Sequence, residues 1–297
     1  MPRSKTKTTP LERAFTSAVR RFLNRKTVTG VDIGYKITDG KRTPEIAIRL
    51  HVEKKRSLRS LTASQGFPKT IGGFPVDVIQ AVYEDQNAFL QSRLDPVRPG
   101  ASIGLGSGGV GTLGMVVSDN RRSGALGFVT AAHVLFGGTG IVGDPILQPA
   151  VPDGGSAADR AGFVARAFHA SDAALAIFDN GRTGEPEAAL SSVEFTAPRE
   201  PRIGEVLEKI GRSTGQTRGL IDGIGHYMGV RDSFRLVGLD ATPIVAPGDS
   251  GAVWYDPITG AAVGLHCKGP LTSTATSNYA IAAKVTVVAR KLAVTVI

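Results

Sequence analysis

Short apolar runs, separated by glycine, proline, aspartate and asparagine, dominate the chain after about residue 100. Two of them are Gly127–Leu135 and Ser171–Phe178. Runs of this length, bounded by turn residues, are typical of buried strands. Glycine is abundant, at 37 of 297 residues, which fits frequent turns. The pattern predicts an all-β barrel or sandwich for this part of the chain.

The chain before residue 98 has a different pattern. Apolar residues recur at helical spacing from Pro10 to Lys26, with arginines beside them, and this predicts an amphipathic helix. The other expected elements are strands at 29–37, 45–52 and 74–79, a turn at 39–41 and a helix near 57–64. We therefore expect a small α+β domain over residues 1–97 and a β domain over residues 98–297.

Charge is distributed unevenly between these two regions. The whole chain has 35 Lys or Arg and 26 Asp or Glu, a formal net charge of +9. Residues 1–60 hold 16 of these basic residues and 5 of the acidic ones, a net charge of +11, so the remainder carries −2. No nucleic-acid motif accompanies the basic residues, and aromatic residues are not interleaved with them, so nucleic acid is not an expected partner. A regulatory protein or a second copy of the chain, bound through the N-terminal region, is the expected partner besides substrate.

The sequence predicts a soluble, cytoplasmic protein. It has neither a secretory signal nor the roughly 20 consecutive apolar residues of a membrane span. Its single cysteine, Cys267, excludes an intrachain disulfide and favours a reducing compartment. Residues 1–28 are basic, hydroxyl-rich and poor in acids, so an organelle-targeting segment is left open as an alternative to a helix packed on its own domain.

Two short strings carry the candidate chemistry. Thr130-Ala131-Ala132-His133 ends an apolar run, and Gly248-Asp249-Ser250-Gly251 follows later in the chain. Asp172 lies between them at the start of another apolar run. A serine hydroxyl becomes a nucleophile when an imidazole takes its proton, and a buried carboxylate fixes the tautomer of that imidazole. His133, Asp172 and Ser250 are therefore the predicted catalytic residues.

Glycines on both sides of Ser250 fit the same chemistry. Gly248 and Gly251 allow a tight backbone turn, so that the N–H groups of Gly248 and Ser250 can converge on one oxygen atom. We predict that these two N–H groups form the oxyanion hole.

From about Gly100 onwards, the sequence resembles the trypsin/chymotrypsin superfamily in its disulfide-free bacterial form. The order His133, Asp172, Ser250 is the order of that superfamily, and no Gly-x-Ser-x-Gly elbow surrounds Ser250, because residue 252 is alanine. The resemblance implies a mainly β, chymotrypsin-like double β-barrel, here preceded by the small α+β domain. It also implies a serine endopeptidase that works through an acyl-enzyme intermediate. Regulation by the N-terminal domain or by a partner is a separate hypothesis of ours.

The same resemblance points to residues of a substrate pocket. His266, in the string Val263–Gly269, takes the position at which glutamate-specific bacterial endopeptidases hold a histidine. Val245 stands where those enzymes have a hydroxyl residue, and Ile244 precedes it. Neither is the aspartate that trypsin-like cleavage after Lys or Arg needs. Ile244, Val245 and His266 are the predicted pocket residues, and acidic and medium-sized apolar substrate side chains both stay open.

Activation cannot follow the route of the digestive proteases, in which a new N-terminus pairs with the acid before the nucleophile. Asp249 is that acid here, but no Ile-Val-Gly-Gly string precedes His133. We expect Asp249 to pair with an internal cation or with backbone N–H groups, or the loop to become ordered when a partner binds.

Three alternatives remain at this stage. A non-catalytic binding or scaffold protein could retain the protease fold, although a scaffold has no physical need for all three groups and Gly248. The same residues can also hydrolyse esters. A Cys267 thiol nucleophile is the third, although no oxyanion-hole signature surrounds it and a lone cysteine is usually a small hydrophobic residue. Neither a metal ion nor a cofactor is expected.

Overall fold

The computed structural model describes residues 8–38, 40–55, 66–81, 86–138, 140–179, 181–270 and 278–297, apart from the side chains of residues 86 and 87. The chain divides into two compact units, Met1–Glu84 and Asp85–Ile297. The helix predicted near 57–64 and residue 39 of the predicted turn lie outside the described residues.

The N-terminal unit consists of a helix and a four-stranded sheet. Its elements are α1 (Pro10–Phe22), β1 (Val28–Thr38), β2 (Lys41–Val52), β3 (Thr70–Ile71) and β4 (Phe74–Gln80). The strand order is β1-β2-β4-β3, with β2 and β4 parallel and the other pairs antiparallel. The predicted α+β character and the three predicted strands are confirmed.

Local sequence explains where α1 begins and which face it buries. Thr9 and Glu12 form a capping box at its start, followed by Pro10, which suits the first helical position. Ala14, Ala18 and Phe22 are buried against apolar residues of the sheet.

None of the helices in the described part of the chain is long and apolar enough to cross a membrane.

The boundary between the units falls earlier than the one predicted after residue 97. Leu90, at the end of α2 (Gln86–Leu90), is fully buried in the core of the second unit, and Leu94 and Val97 are buried there too. The sequence between residues 85 and 97 has no long apolar run. The burial of three separated side chains therefore decides to which unit this segment belongs.

The first half of the second unit is an eight-stranded sheet. Its strand order is β18-β7-β8-β11-β10-β9-β5-β6, and every pairing is antiparallel. The strands are β5 (Ser102–Leu105), β6 (Gly108–Thr112), β7 (Met115–Asp119), β8 (Ala125–Ala131), β9 (Pro145–Leu147), β10 (Arg160–Phe168), β11 (Ala173–Phe178) and β18 (Val294–Val296).

The second half of this unit is a closed six-stranded barrel. Its strand order is β12-β13-β14-β17-β16-β15. The strands are β12 (Val206–Gly211), β13 (Gly215–Tyr227), β14 (Val230–Gly238), β15 (Val253–Tyr255), β16 (Ala262–Lys268) and β17 (Tyr279–Lys284). Helix α4 (Val285–Leu292) leads from β17 to β18. The predicted chymotrypsin-like double β-barrel is confirmed.

The apolar runs seen in the sequence form the core strands of the first half. Strand β8 is buried from Gly127 to Ala131, and β11 is buried from Ala173 to Ile177. Because both strands lie inside the sheet and next to each other, the residues that follow β8 and precede β11 emerge at the same edge. His133 and Asp172 are at these positions.

Candidate active site

His133 and Asp172 form a direct hydrogen-bonded pair. His133 lies in the short helix α3 (Ala132–Phe136), and its Nδ1 is 2.7 Å from Asp172 Oδ2. The backbone N–H of His133 donates to the other carboxylate oxygen, Oδ1, at 2.9 Å. With Nδ1 carrying the proton toward the carboxylate, Nε2 is left as the basic nitrogen.

The backbone conformation of Asp172 orients its carboxylate toward His133. This residue has a left-handed conformation, with φ of 49°, directly after a short 3₁₀ turn, His169–Ser171. Aspartate tolerates this conformation better than most residues do. The carboxylate side chain is only 12% exposed, whereas the His133 side chain is 41% exposed. The pair is therefore anchored on the carboxylate side and open on the imidazole side.

Ser250 sits where the two halves of the unit meet. Its carbonyl oxygen accepts from the N–H of Thr112, the last residue of β6, at 2.8 Å. The following residue, Gly251, has φ of +96°, and a Cβ there would overlap Thr130 Oγ1 and Thr112 O. Only glycine fits this approach to the end of β8, as the sequence predicted. Ser250 Oγ itself has no hydrogen-bond partner in the part of the chain that the structure describes.

The two N–H groups predicted for the oxyanion hole have no acceptor among the residues that the structure describes. Within the described ranges, neither Gly248 N–H nor Ser250 N–H donates a hydrogen bond. Gly248 has φ of +101°, and a Cβ on it would overlap Ser213 Oγ. An unpaired backbone donor is costly unless water or a ligand accepts from it. These two donors are available to bind a negatively charged oxygen.

Asp249, the acid before Ser250, pairs with an internal cation. Its Oδ2 lies 3.0 Å from Lys209 Nζ, and both side chains are completely buried. Thr214 Oγ1 and the N–H groups of Ser213, Thr214 and Ala246 also donate to this carboxylate. Burial raises the pKa of Asp249, but the Lys209 charge and these hydrogen bonds outweigh it and lower the pKa overall. Burial lowers the pKa of Lys209, and Asp249 opposes that shift.

Sequence reasoning expected such a cation without identifying it. The signal was two adjacent charged residues in the middle of β12, Glu208 and Lys209, which lie between the buried apolar residues Leu207 and Ile210. A lysine buried completely is rare unless it is paired. Asp249 thus has both of the predicted kinds of partner, an internal cation and backbone N–H groups. Ordering of the loop by a bound partner stays a prediction.

The predicted pocket residues all lie near the Ser250 loop and are all 3% exposed. Ile244 and Val245 belong to the apolar core cluster of the six-stranded barrel, and Val245 packs against Gly269. His266 N–H donates to Ala252 O, and its carbonyl accepts from Gly251 N–H, so β16 runs beside the loop. The pocket role of these residues stays a prediction.

His266 is a neutral imidazole inside the protein. Burial, reinforced by the Lys209 charge, lowers its pKa to about 3. Its Nδ1 is buried and has no hydrogen-bond partner among the described residues, and its ring meets Trp254 edge-on at 6.5 Å.

Cys267 lies behind the His133–Asp172 pair. Its Sγ approaches the carbonyl oxygens of Ser171, Asp172 and Leu265 at 3.7, 3.9 and 3.2 Å. Burial strongly raises the pKa of this thiol. Because the thiolate is the nucleophilic form, these surroundings argue against Cys267 as a nucleophile.

Comparison with solved structures finds a consistent set of neighbours. Thermobifida fusca protease A is 17% identical, with a TM-score of 0.51, over 68% of this chain and 98% of that one. A glutamic acid specific serine protease that uses a histidine triad in substrate binding is 22% identical, with a TM-score of 0.53, over 68% and 100% of the two chains. A Nocardiopsis protease is 20% identical, with a TM-score of 0.52, over 67% and 98%.

The second unit therefore has the fold of the bacterial trypsin/chymotrypsin-like serine proteases. At these identities the likeness defines the fold alone, and it does not address the N-terminal unit. No protein-family model matches the sequence, and no curated protein matches it either.

Proposed function

We propose that this protein is a serine endopeptidase, with Ser250 as nucleophile, His133 as general base and Asp172 as its orienting carboxylate. The observation that carries the proposal is the pairing of both Asp172 oxygens with His133, at 2.7 and 2.9 Å. It is supported by the backbone N–H groups of Gly248 and Ser250, which have no acceptor among the described residues. A protease fold without this arrangement would support only a binding role.

The chemistry follows from these positions. Ser250 Oγ attacks the carbonyl carbon of the scissile peptide bond while His133 Nε2 takes the hydroxyl proton. The carbonyl oxygen becomes an anion and accepts from the N–H groups of Gly248 and Ser250. His133 returns the proton to the leaving amine as the C–N bond breaks, which leaves an ester on Ser250. Water, activated by His133 in the same way, then hydrolyses that ester and regenerates the serine.

Substrate selection would depend on the walls near Ile244, Val245 and His266. The two apolar residues fit a medium-sized apolar side chain before the cleaved bond. The unpartnered His266 imidazole fits an acidic side chain, because a neutral imidazole can donate one hydrogen bond to a carboxylate. Cleavage of a peptide library decides between them. If acidic side chains are preferred, His266→Leu should remove that preference and leave apolar cleavage within about threefold of the wild type.

Labelling with a fluorophosphonate probe tests the proposal. The wild-type protein should be labelled, and Ser250→Ala and His133→Ala should not be. Ser118→Ala on β7 and His226→Ala on β13 are matched controls of the same residue types, and both should be labelled like the wild type. Absence of labelling both in the wild type and in a chain beginning at Asp85, with the fold intact, would support the non-catalytic scaffold instead.

We also propose two roles for the N-terminal unit. One is that it regulates activity, and the other is that it recruits a protein partner or a second copy. A chain beginning at Asp85 tests both through its labelling rate and its mass in solution. An unchanged rate and an unchanged oligomeric state would count against both.

A further inference from the structure

Each backbone carbonyl from Pro247 to Ser250, around the candidate oxyanion hole, accepts a hydrogen bond. Pro247 O accepts from Ser213 Oγ at 2.7 Å, and Gly248 O accepts from Thr112 Oγ1 at 2.8 Å. Asp249 O accepts from Ala252 N–H at 3.0 Å, and Ser250 O accepts from Thr112 N–H. Four consecutive peptide groups are therefore fixed from outside the hole.

The direction of each N–H follows from the carbonyl of the same peptide group. A trans peptide is planar, and its C=O and N–H point in opposite directions. Ser213 holds the Pro247 carbonyl, so it directs the Gly248 N–H in the opposite direction within that plane. The Asp249 carbonyl, held by Ala252, directs the Ser250 N–H in the same manner. Thr112 holds the peptide group between these two donors.

A single arginine fixes the direction of both hydroxyl protons. The backbone N–H of Arg212 donates to Thr112 Oγ1 at 3.0 Å, and its Nη1 donates to Ser213 Oγ at 3.0 Å. Each hydroxyl has one proton to donate. Because the hydroxyl oxygen already accepts a hydrogen bond from Arg212, its own proton is directed to the loop carbonyl. Asp153 holds the guanidinium group through two hydrogen bonds.

These contacts come from both halves of the unit. Thr112 ends β6 of the eight-stranded sheet and is completely buried, whereas Ser213 lies in the turn between β12 and β13 of the barrel. A donor pair that is aligned before the substrate arrives loses nothing to reorganisation during the reaction.

We propose that Ser213 and Thr112, oriented by Arg212, are the positioning residues that keep the oxyanion hole assembled in the absence of substrate. The inference rests on the proposed serine-hydrolase function. It adds two side chains that touch neither the reacting atoms nor the substrate, and it explains why the hole requires no external N-terminus to form.

Hydrolysis of p-nitrophenyl acetate by the full-length chain tests this inference. Ser213→Ala should lower kcat about 10- to 100-fold, less than the roughly 10²- to 10³-fold loss of a donor itself, with KM changed less than about twofold. Thr112→Val, which keeps the shape of the side chain, should have an effect of the same order. Ser213→Thr should restore activity to within about threefold of the wild type, because it returns the hydroxyl.

Control measurements separate positioning from folding. Ser233→Ala removes another buried hydroxyl that donates to a backbone carbonyl, that of Val230 at the start of β14, at 2.8 Å, and its kcat should stay at the wild-type value. The unfolding temperature of every variant shows how much of the chain is folded in the assay. Activity that falls only in proportion to the folded fraction overturns the inference.

The failure of this inference differs from failure of the proposed function. If the fluorophosphonate probe labels the wild type but not Ser250→Ala, the function stands. If Ser213→Ala and Thr112→Val then react within about twofold of the wild type, the positioning role alone is wrong. If neither the wild type nor the chain beginning at Asp85 reacts, both proposals are wrong.

Discussion

Each unit contains an aspartate–histidine pair, and the two pairs differ in what surrounds the carboxylate. In the N-terminal unit, His51 Nε2 lies 3.2 Å from Asp32 Oδ2, across the antiparallel strands β1 and β2. In the second unit, His133 Nδ1 lies 2.7 Å from Asp172 Oδ2. By residue type and contact alone, the two pairs look alike.

In the first pair, a cation forms hydrogen bonds to the carboxylate. Arg49 Nε and Nη2 donate to the two oxygens of Asp32 at 2.6 and 2.7 Å. This bidentate contact is the main cause of the lowered pKa of Asp32. In the second pair, both oxygens of Asp172 accept from His133, one from the ring and one from the backbone N–H. Only the second carboxylate is devoted to orienting an imidazole.

Access to the ring differs as well. The His51 side chain is 8% exposed, whereas the His133 side chain is 41% exposed. A general base must come within hydrogen-bond distance of the proton that it takes. On these grounds we expect base catalysis from the His133–Asp172 pair and not from the His51–Asp32 pair, in which a cation occupies the carboxylate and the ring is buried.

The largest expected difference between the pairs is in catalysis. Asp172→Asn should lower kcat for p-nitrophenyl acetate about 10⁴-fold, because an amide in this place favours the wrong imidazole tautomer. Asp32→Asn, the matched change in the other pair, should leave kcat unchanged. The comparison breaks down if the two substitutions reduce activity equally.

A second test compares the cations. Lys209→Met leaves the buried Asp249 without its charge partner and should lower the free energy of unfolding by about 3–5 kcal/mol. Arg49→Met should cost only about 0–1 kcal/mol, because the Asp32 side chain is 41% exposed and water solvates it. Urea unfolding of the full-length variants measures both values. Equal losses would show that burial does not separate the two ion pairs.

The smallest effect concerns the pH dependence of the Asp32 pair. The folded-state pKa of Asp32 lies below its unfolded value of about 3.9. Its stabilising contribution is therefore complete above that value and is lost as the pH falls through the folded pKa. The difference in urea midpoint between the wild type and Asp32→Asn should shrink from about pH 6 to about pH 3. A difference that stays constant over this range would contradict the assigned cause.

Part of the architecture was predictable because it depends on local pattern. The spacing of apolar residues predicted α1, and strands were expected at the positions of β1, β2 and β4. The runs around residues 127 and 173 predicted the buried strands β8 and β11. The sequence did not predict that residues 85–97 belong to the second unit, because this depends on which core buries Leu90, Leu94 and Val97.

The sequence by itself determined which residues are candidates for the chemistry. The order of His133, Asp172 and Ser250 and the glycines at 248 and 251 are readable because they lie in short strings whose backbone requirements are local. It also indicated that Asp249 needs a partner.

Only the tertiary structure decided what holds these groups in place. Lys209 is 40 residues from Asp249 in the sequence, and Thr112 is 136 residues from Gly248, yet each pair is in hydrogen-bond contact. Such contacts are set by strand pairing and by the meeting of the two halves of the unit. No local spacing encodes them, because the intervening chain can be of any length that lets the strands close.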